Sequence, residues 1–263
     1  MLRFMFFALA AVASFQPASA QQAPTPQAPS PQIARLDGLL AAKDYKQLGE
    51  IIGNVSTQDE LWTDLGWLKD RMMGGESAFV TMLYARLLWN ASLPLPAAEQ
   101  HNLKQTAAMA TLYAYSAIQI DGTRCGDRTA PAHRMQQLMG WNPDVWRFLA
   151  GLTEAERATV LMLVPLLESR TAAKRDAQGD VEFLCRAGME ETSYNLTHGS
   201  AREVPALPGQ IGRQIQLSGD GKYKPSERPE AERVPDVLKR RAELPKVLAD
   251  QVASLAALKP VAK

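Results

Sequence analysis

The chain has 263 residues, with 29 Lys+Arg against 28 Asp+Glu, 46% apolar residues and two cysteines. Near-neutral charge argues against a nucleic-acid binder, whose affinity rests on excess positive charge. The apolar share suits a globular chain with one sizeable core rather than a disordered or fibrous one.

The N-terminus reads as an export signal. Arg3 carries the only charge in the first twenty residues, Phe4 to Phe15 is apolar except for Ser14, and Ala18-Ser19-Ala20 succeeds the break at Pro17. A basic start, a short apolar run and an A-x-A site make a cleavable secretory signal, whereas a spanning helix needs roughly 20 apolar residues. Residues 1–20 are therefore expected to be cut off after Ala20, placing the mature chain in the bacterial periplasm or outside the cell. Pro24, Pro26, Pro29 and Pro31 recur in a Gln- and Ala-rich stretch, so residues 21–32 are expected to be a disordered linker.

Helical spacing dominates residues 33–200. Ile33, Leu36, Leu39 and Leu40, then Tyr45, Leu48, Ile51 and Ile52, read as a helical hairpin. Thr57-x-x-Glu60 is a capping box, and Leu61, Leu65, Leu68 and Met72 form one stripe behind it. Residues 77–91 carry a wide apolar arc. After Pro94 and Pro96 a long helix runs to about Ile120, with Ala107, Ala110, Ala114 and Ala117 as a small-residue seam. A helix apolar nearly all round belongs in the middle of a core. Pro131 and Pro143 each open a short helix, and Thr153-x-x-Glu156 is a second capping box. The helix behind it is expected to reach about Lys174, with a kink at Pro165. Asp180 is placed as the cap of a further helix that carries Val181, Leu184, Cys185 and Gly188 on one face.

Beyond Gly199 prolines recur. A short strand from Ile211 to Leu217, with Gly219-Asp220-Gly221 as its turn, and an amphipathic helix from Val247 to Leu258 are expected there. The fold class is thus all-α: an irregular array or bundle of about eight or nine helices over residues 33–200, with one disulfide. A basic, Pro-rich, partly extended tail over 201–263 completes the chain. Ala158 to Leu167, the longest internal apolar run, is too short to span a bilayer, so no transmembrane segment is expected in the mature chain.

Charge is unevenly placed: residues 33–200 hold 16 Lys+Arg against 20 Asp+Glu, residues 201–263 hold 12 against 8. A basic tail lying on an acidic body accounts for this most simply; a tail reaching an anionic partner is the alternative. Cys125 and Cys185 are expected to pair, because an oxidising compartment converts two thiols to a disulfide. No C-x-x-C or H-x-x-x-H spacing is present, so neither a metal site nor a cofactor is expected.

No motif fixes a reaction: G-x-S-x-G, the phosphate-binding loop and H-E-x-x-H are all missing. The one polar constellation is Asp121, Arg124, Asp127, Arg128, His133 and Arg134 around Cys125. Arginine forks there could hold a carboxylate or phosphate and His133 could move a proton. The plainer reading is a long loop whose charges pair among themselves. Glu190-Glu191 with His198, and Lys239-Arg240-Arg241, read as solvated helix faces, and the five tryptophans read as core. The expectation is a binding scaffold for another envelope protein or peptide rather than an enzyme. An enzyme or small-ligand binder built on Arg124 and His133 is the competing possibility.

Overall fold

The computed structural model describes residues 30–178, 181–205 and 213–257. The expected signal, Asp180, Ile211 and Leu258 lie outside these residues. Eleven α-helices and one two-stranded sheet make up the described chain, so it is mostly helical, with slightly more helices than the sequence suggests. None of the helices is long and apolar enough to cross a membrane.

α1 (Pro31–Ala41) takes in Pro31 and Gln32, the end of the stretch expected to be a disordered linker, because a proline ring suits the first helical position and Ser30 Oγ accepts from Ile33 N. Lys43, in the left-handed region at φ 55°, reverses the chain into α2 (Tyr45–Gly53). α3 (Gln58–Met73) starts with the expected capping box: Glu60 N donates to Thr57 Oγ1 at 3.2 Å and Thr57 N to Glu60 Oε2 at 3.1 Å. Trp67 Nε1 donates to Asp37 Oδ1 at 2.7 Å, tying α3 to α1. The turn into α4 (Ala78–Ser92) passes through Gly75 at φ 85°. A Cβ there would stand 2.6 Å from Lys174 Cβ, so only glycine lets this turn press on a later helix.

α5 (Ala97–Asp121) is the central helix. Ala107, Ala110, Ala114 and Ala117 are at most 1% exposed, and α4 lies along it. A 3-10 turn (Gly122–Arg124) leads to Cys125. α6 (Thr129–Trp141) and α7 (Pro143–Gly151) pack against α5, and α8 (Glu154–Gln178) returns along it. The second capping box forms at Thr153 and Glu156, and α8 continues through Pro165. His101 Nε2 stands 2.5 Å from Glu156 Oε1. The Thr153 hydroxyl and backbone N–H, with His101, hold that carboxyl down at about 2.

The single helix expected around Cys185 is broken in two. α9 (Glu182–Cys185) is one turn; Ala187 then adopts φ 65° and α10 (Met189–His198) leaves in a new direction. Cys185 reaches Cys125, with Cα atoms 5.1 Å apart. The strand reading is also corrected. β2 (Gln214–Ser218) pairs antiparallel with an unforeseen β1 (Ser200–Val204), from Ser200↔Ser218 to Val204↔Gln214, so its partner lies upstream of it and not beyond Gly219-Asp220-Gly221.

The larger departure is the tail. α11 spans Glu230–Ala257, 28 residues, straight through Pro235 and Pro245. An interior proline costs about 3 kcal/mol. Val237, Leu244, Leu248, Val252 and Leu255 are all buried against α5, α7 and α8, and such side chains return about 1.5–3 kcal/mol each. Tertiary burial therefore overrides the local propensity. Ahead of α11, residues 226–228 lie antiparallel to 124–126: Gly126 N donates to Ser226 O and Arg228 N to Arg124 O, both at 2.8 Å.

One buried carboxylate strains this body. Asp64 on α3 is 1% exposed, and Gln32 Nε2, 2.5 Å from Oδ1, is its hydrogen-bond donor. Burial raises its pKa to about 6, only partly countered by Gln32. The unfolded carboxyl titrates near 4, so the folded chain binds the extra proton between about pH 4 and 6. The contribution of Asp64 to stability is then most favourable below that window and falls as pH rises through it. Asp64 borders an open groove of about 580 Å³, which softens the penalty. Asp64→Asn is expected to add about 1–2 kcal/mol above pH 7 and little below pH 4. Thermal unfolding of both proteins at pH 3.5 and 7.5 checks this; an equal Tm difference at the two pH values would contradict it.

Candidate functional site

The charged centre of the molecule begins on α8. Its buried residues are Val160, Val164, Glu168, Thr171 and Arg175, spaced four, four, three and four apart. They form one helical face that turns from apolar to polar halfway along. Arg175, with a side chain 4% exposed, donates from Nε to Asp121 Oδ2 at 2.7 Å and from Nη2 to both Glu168 oxygens at 2.7 and 2.6 Å. Nη1 donates to Tyr113 Oη at 2.6 Å and Thr171 Oγ1 at 2.9 Å. Burial disfavours the Arg175 charge, but Asp121, Tyr113 and Glu168 outweigh it, and the guanidinium holds its proton more tightly than a free one. The Tyr113 hydroxyl is pushed up by burial.

α11 contributes to the same cluster. Arg241 sits within its buried stripe, donating to Glu168 Oε1 at 2.9 Å and to the two oxygens of Asp176 at 2.7 and 2.8 Å. Arg124 pairs with Asp176 as well and stands 3.6 Å from Asp121 Oδ1. Three arginines thus meet three carboxylates, and their formal charges cancel. The hydrogen bond from Arg241 and the nearby Arg241 and Arg124 charges lower the Asp176 pKa. This is where the basic tail meets the acidic body.

The expected constellation around Cys125 is dispersed by this arrangement. Asp121 and Arg124 face inward and are 7% and 4% exposed. The enclosed space beside them is about 10 Å³, room for about one water molecule and no substrate. Asp127 accepts from Thr129 N at 2.8 Å, Thr129 Oγ1 at 2.6 Å and Glu190 N at 2.9 Å. Burial would raise its carboxyl, but these donors prevail and hold it below the usual range. His133 lies on the exposed side of α6; desolvation and the Arg134 charge lower its pKa. Arg134 points elsewhere, toward Phe183. Glu190, Glu191 and His198 do not converge either: Glu191 accepts from Ala187 N, Glu190 from Ser226 Oγ, and His198 stacks on Tyr194 with ring centroids 4.3 Å apart.

Arg128, by contrast, faces an open cavity. A groove of about 620 Å³ runs between α6 and α11, over the end of α5. Pro131, Ala132, Met135 and Met139 from α6, with Ile118 from α5, form its apolar side, and Met139 is 43% exposed. Arg128, Arg228, Lys239 and Arg240 line it against Asp236 and Glu243. Arg228 is taken by Asp236 at 2.7 Å and Glu232 at 3.6 Å. Arg128, Lys239 and Arg240 form no ion pair among the described residues. Sequence reasoning passed over this groove because its two walls are about 100 residues apart.

The tryptophans match expectation in part. Trp67, Trp89 and Trp146 are buried and Trp141 partly so, while Trp62 is 59% exposed. Among the described residues no group of His, Cys, Asp and Glu side chains could hold a metal ion. No protein-family model, no curated protein and no solved structure matches this chain.

Proposed function

We propose that the protein is an exported helical scaffold of the bacterial envelope, and that it binds an acidic, amphipathic segment of another envelope protein in the groove between α6 and α11. One observation carries this reading: a methionine-floored groove rimmed by three cations without ion-pair partners among the described residues. Flexible thioether side chains adapt to varied apolar surfaces, and the cations select carboxylates on the segment's other face. The signal-like N-terminus and the disulfide support export. Against an enzyme built on Arg124 and His133 stands the inward pairing of Arg124.

A photo-crosslinking residue placed at Met139 in the envelope is expected to give one discrete adduct, and the same residue at Ser193 on α10 none. Lys239→Glu with Arg240→Glu, both at exposed positions, should cut the Met139 adduct at least about fivefold through slower association and reversed charge. No adduct at Met139, or one indifferent to the charge reversal, would remove the reading.

A further inference from the structure

The other side of α6 borders a second, open cleft of about 520 Å³, lined also by α2, α4 and α9. Four rings line it. Phe79, 4% exposed, is the hub of these rings, with centroids 5.0 Å from Tyr45, 5.9 Å from Trp141 and 4.9 Å from Phe183. The opposing wall of α2 carries Gly49 and Gly53; a Cβ built at Gly53 meets nothing within 4 Å, whereas one at Gly49 would stand 3.5 Å from Phe79 Cζ. The cleft is therefore open beside Gly53 and shuts onto Phe79 at Gly49.

Two guanidiniums stand among these rings. Arg86 Cζ is 5.6 Å from the Trp141 centroid and Arg134 Cζ is 4.1 Å from that of Phe183. Neither forms an ion pair among the described residues. Arg134 donates from Nε to Phe183 O at 2.7 Å and from Nη1 to Gln137 Oε1 at 3.0 Å, while no described residue accepts from Nη2. Burial lowers Arg134 to about 10, the Glu191 and Tyr45 contributions offsetting only part of this. Glu191 itself lies 3.6 Å from Arg186. Lys46 and Glu50 also line the cleft and cancel one another, leaving a formal charge of +2 from the two arginines.

A packed cation lacking a carboxylate partner is costly unless an anion arrives. The volume lies within the range of small-molecule sites, and aromatic walls with a few placed polar groups are their usual lining. We propose that this cleft binds a small carboxylate carried on a flat apolar body, its head between Arg86 and Arg134 and its body against Trp141. The site is separate from the α6–α11 groove and does not depend on what that groove binds. The arginines hold the carboxylate through charge-assisted hydrogen bonds, and each is already oriented by a ring beneath it.

The test uses the full mature chain with 2-naphthoate and its neutral isostere 2-naphthamide, each titrated by calorimetry. Naphthoate is expected to bind at one site and naphthamide at least about tenfold more weakly. Arg134→Gln and Arg86→Gln should each weaken naphthoate about tenfold while leaving naphthamide unchanged. Arg86 is exposed, so its variant keeps the proposal testable if Arg134→Gln disturbs the fold. Equal affinity for acid and amide, naphthoate binding indifferent to Arg86→Gln, or no naphthoate binding to the wild-type chain would each overturn it.

Discussion

Replacing Arg175 with methionine is expected to destabilise the protein by about 3–5 kcal/mol, because it strips the shared donor from carboxylates that stay buried. Asp121 would keep only the Arg124 contact at 3.6 Å, and Glu168 only the Arg241 bond at 2.9 Å. Tyr113 and Thr171 would lose a donor as well. Urea unfolding measures the loss as a fall in the transition midpoint at constant m. Arg175→Lys restores the charge but not the fork that reaches Asp121, Glu168 and Tyr113 together, so it should recover only part of the loss. Arg175→Met combined with Glu168→Gln should lie closer to wild type than the single change, since one stranded charge is gone. A stability within about 0.5 kcal/mol of wild type for Arg175→Met would show that the cluster does not anchor the fold.

The Cys125→Ala, Cys185→Ala double variant is the second large effect. The bond spans 60 residues. Restricting the unfolded chain over a loop of that length corresponds to about 4 kcal/mol in the chain-entropy account. Both sulfurs sit in the core, Cys125 at 0% and Cys185 at 1% exposure, so the variant also leaves small voids. Equilibrium unfolding of the oxidised wild type and of the variant should differ by about that amount. Thiol titration of the denatured, unreduced protein supplies the other arm. Two titratable thiols there would mean that the bond is not made.

Much of the helical frame was legible because its signals are local. Both capping boxes form, Pro143 stands at the first helical turn, and the alanine seam marks α5 as central. Pairing of Cys125 with Cys185 needed no more than there being only two thiols. The break at Ala187 was masked because alanine favours helix; its one local mark is Gly188, and a hydrogen bond from Ala187 N to Glu191 accompanies φ 65°. The tail misled for the opposite reason. Pro235 and Pro245 signal interruption, but the apolar stripe around them is long enough to hold the helix against the body.

The charged centre was hidden because its members lie far apart: Glu168 and Arg241 are 73 residues distant, Arg124 and Asp176 52. A signal did exist. On α8 the spacing of Val160 and Val164 continues through Glu168, Thr171 and Arg175 without a shift of face, and on α11 Arg241 falls between Val237 and Leu244 in the same way. Charged residues that keep the phase of a buried stripe point inward with it. Arg124 and Asp121 looked like a site because they cluster in sequence, and their partners lay out of view.

The polar interruption in the two stripes has a consequence for alignment. Leu244, Leu248, Val252 and Leu255 repeat at nearly equal intervals, so a purely oily seam would accept α11 displaced by one turn, about 5.4 Å along its axis. Such a slip would carry Arg241 away from Glu168 and Asp176 and slide Leu244 over bare carboxylates. Directional bonds thereby index the long helix to a single notch on the body, a discrimination that greasy contacts alone do not provide.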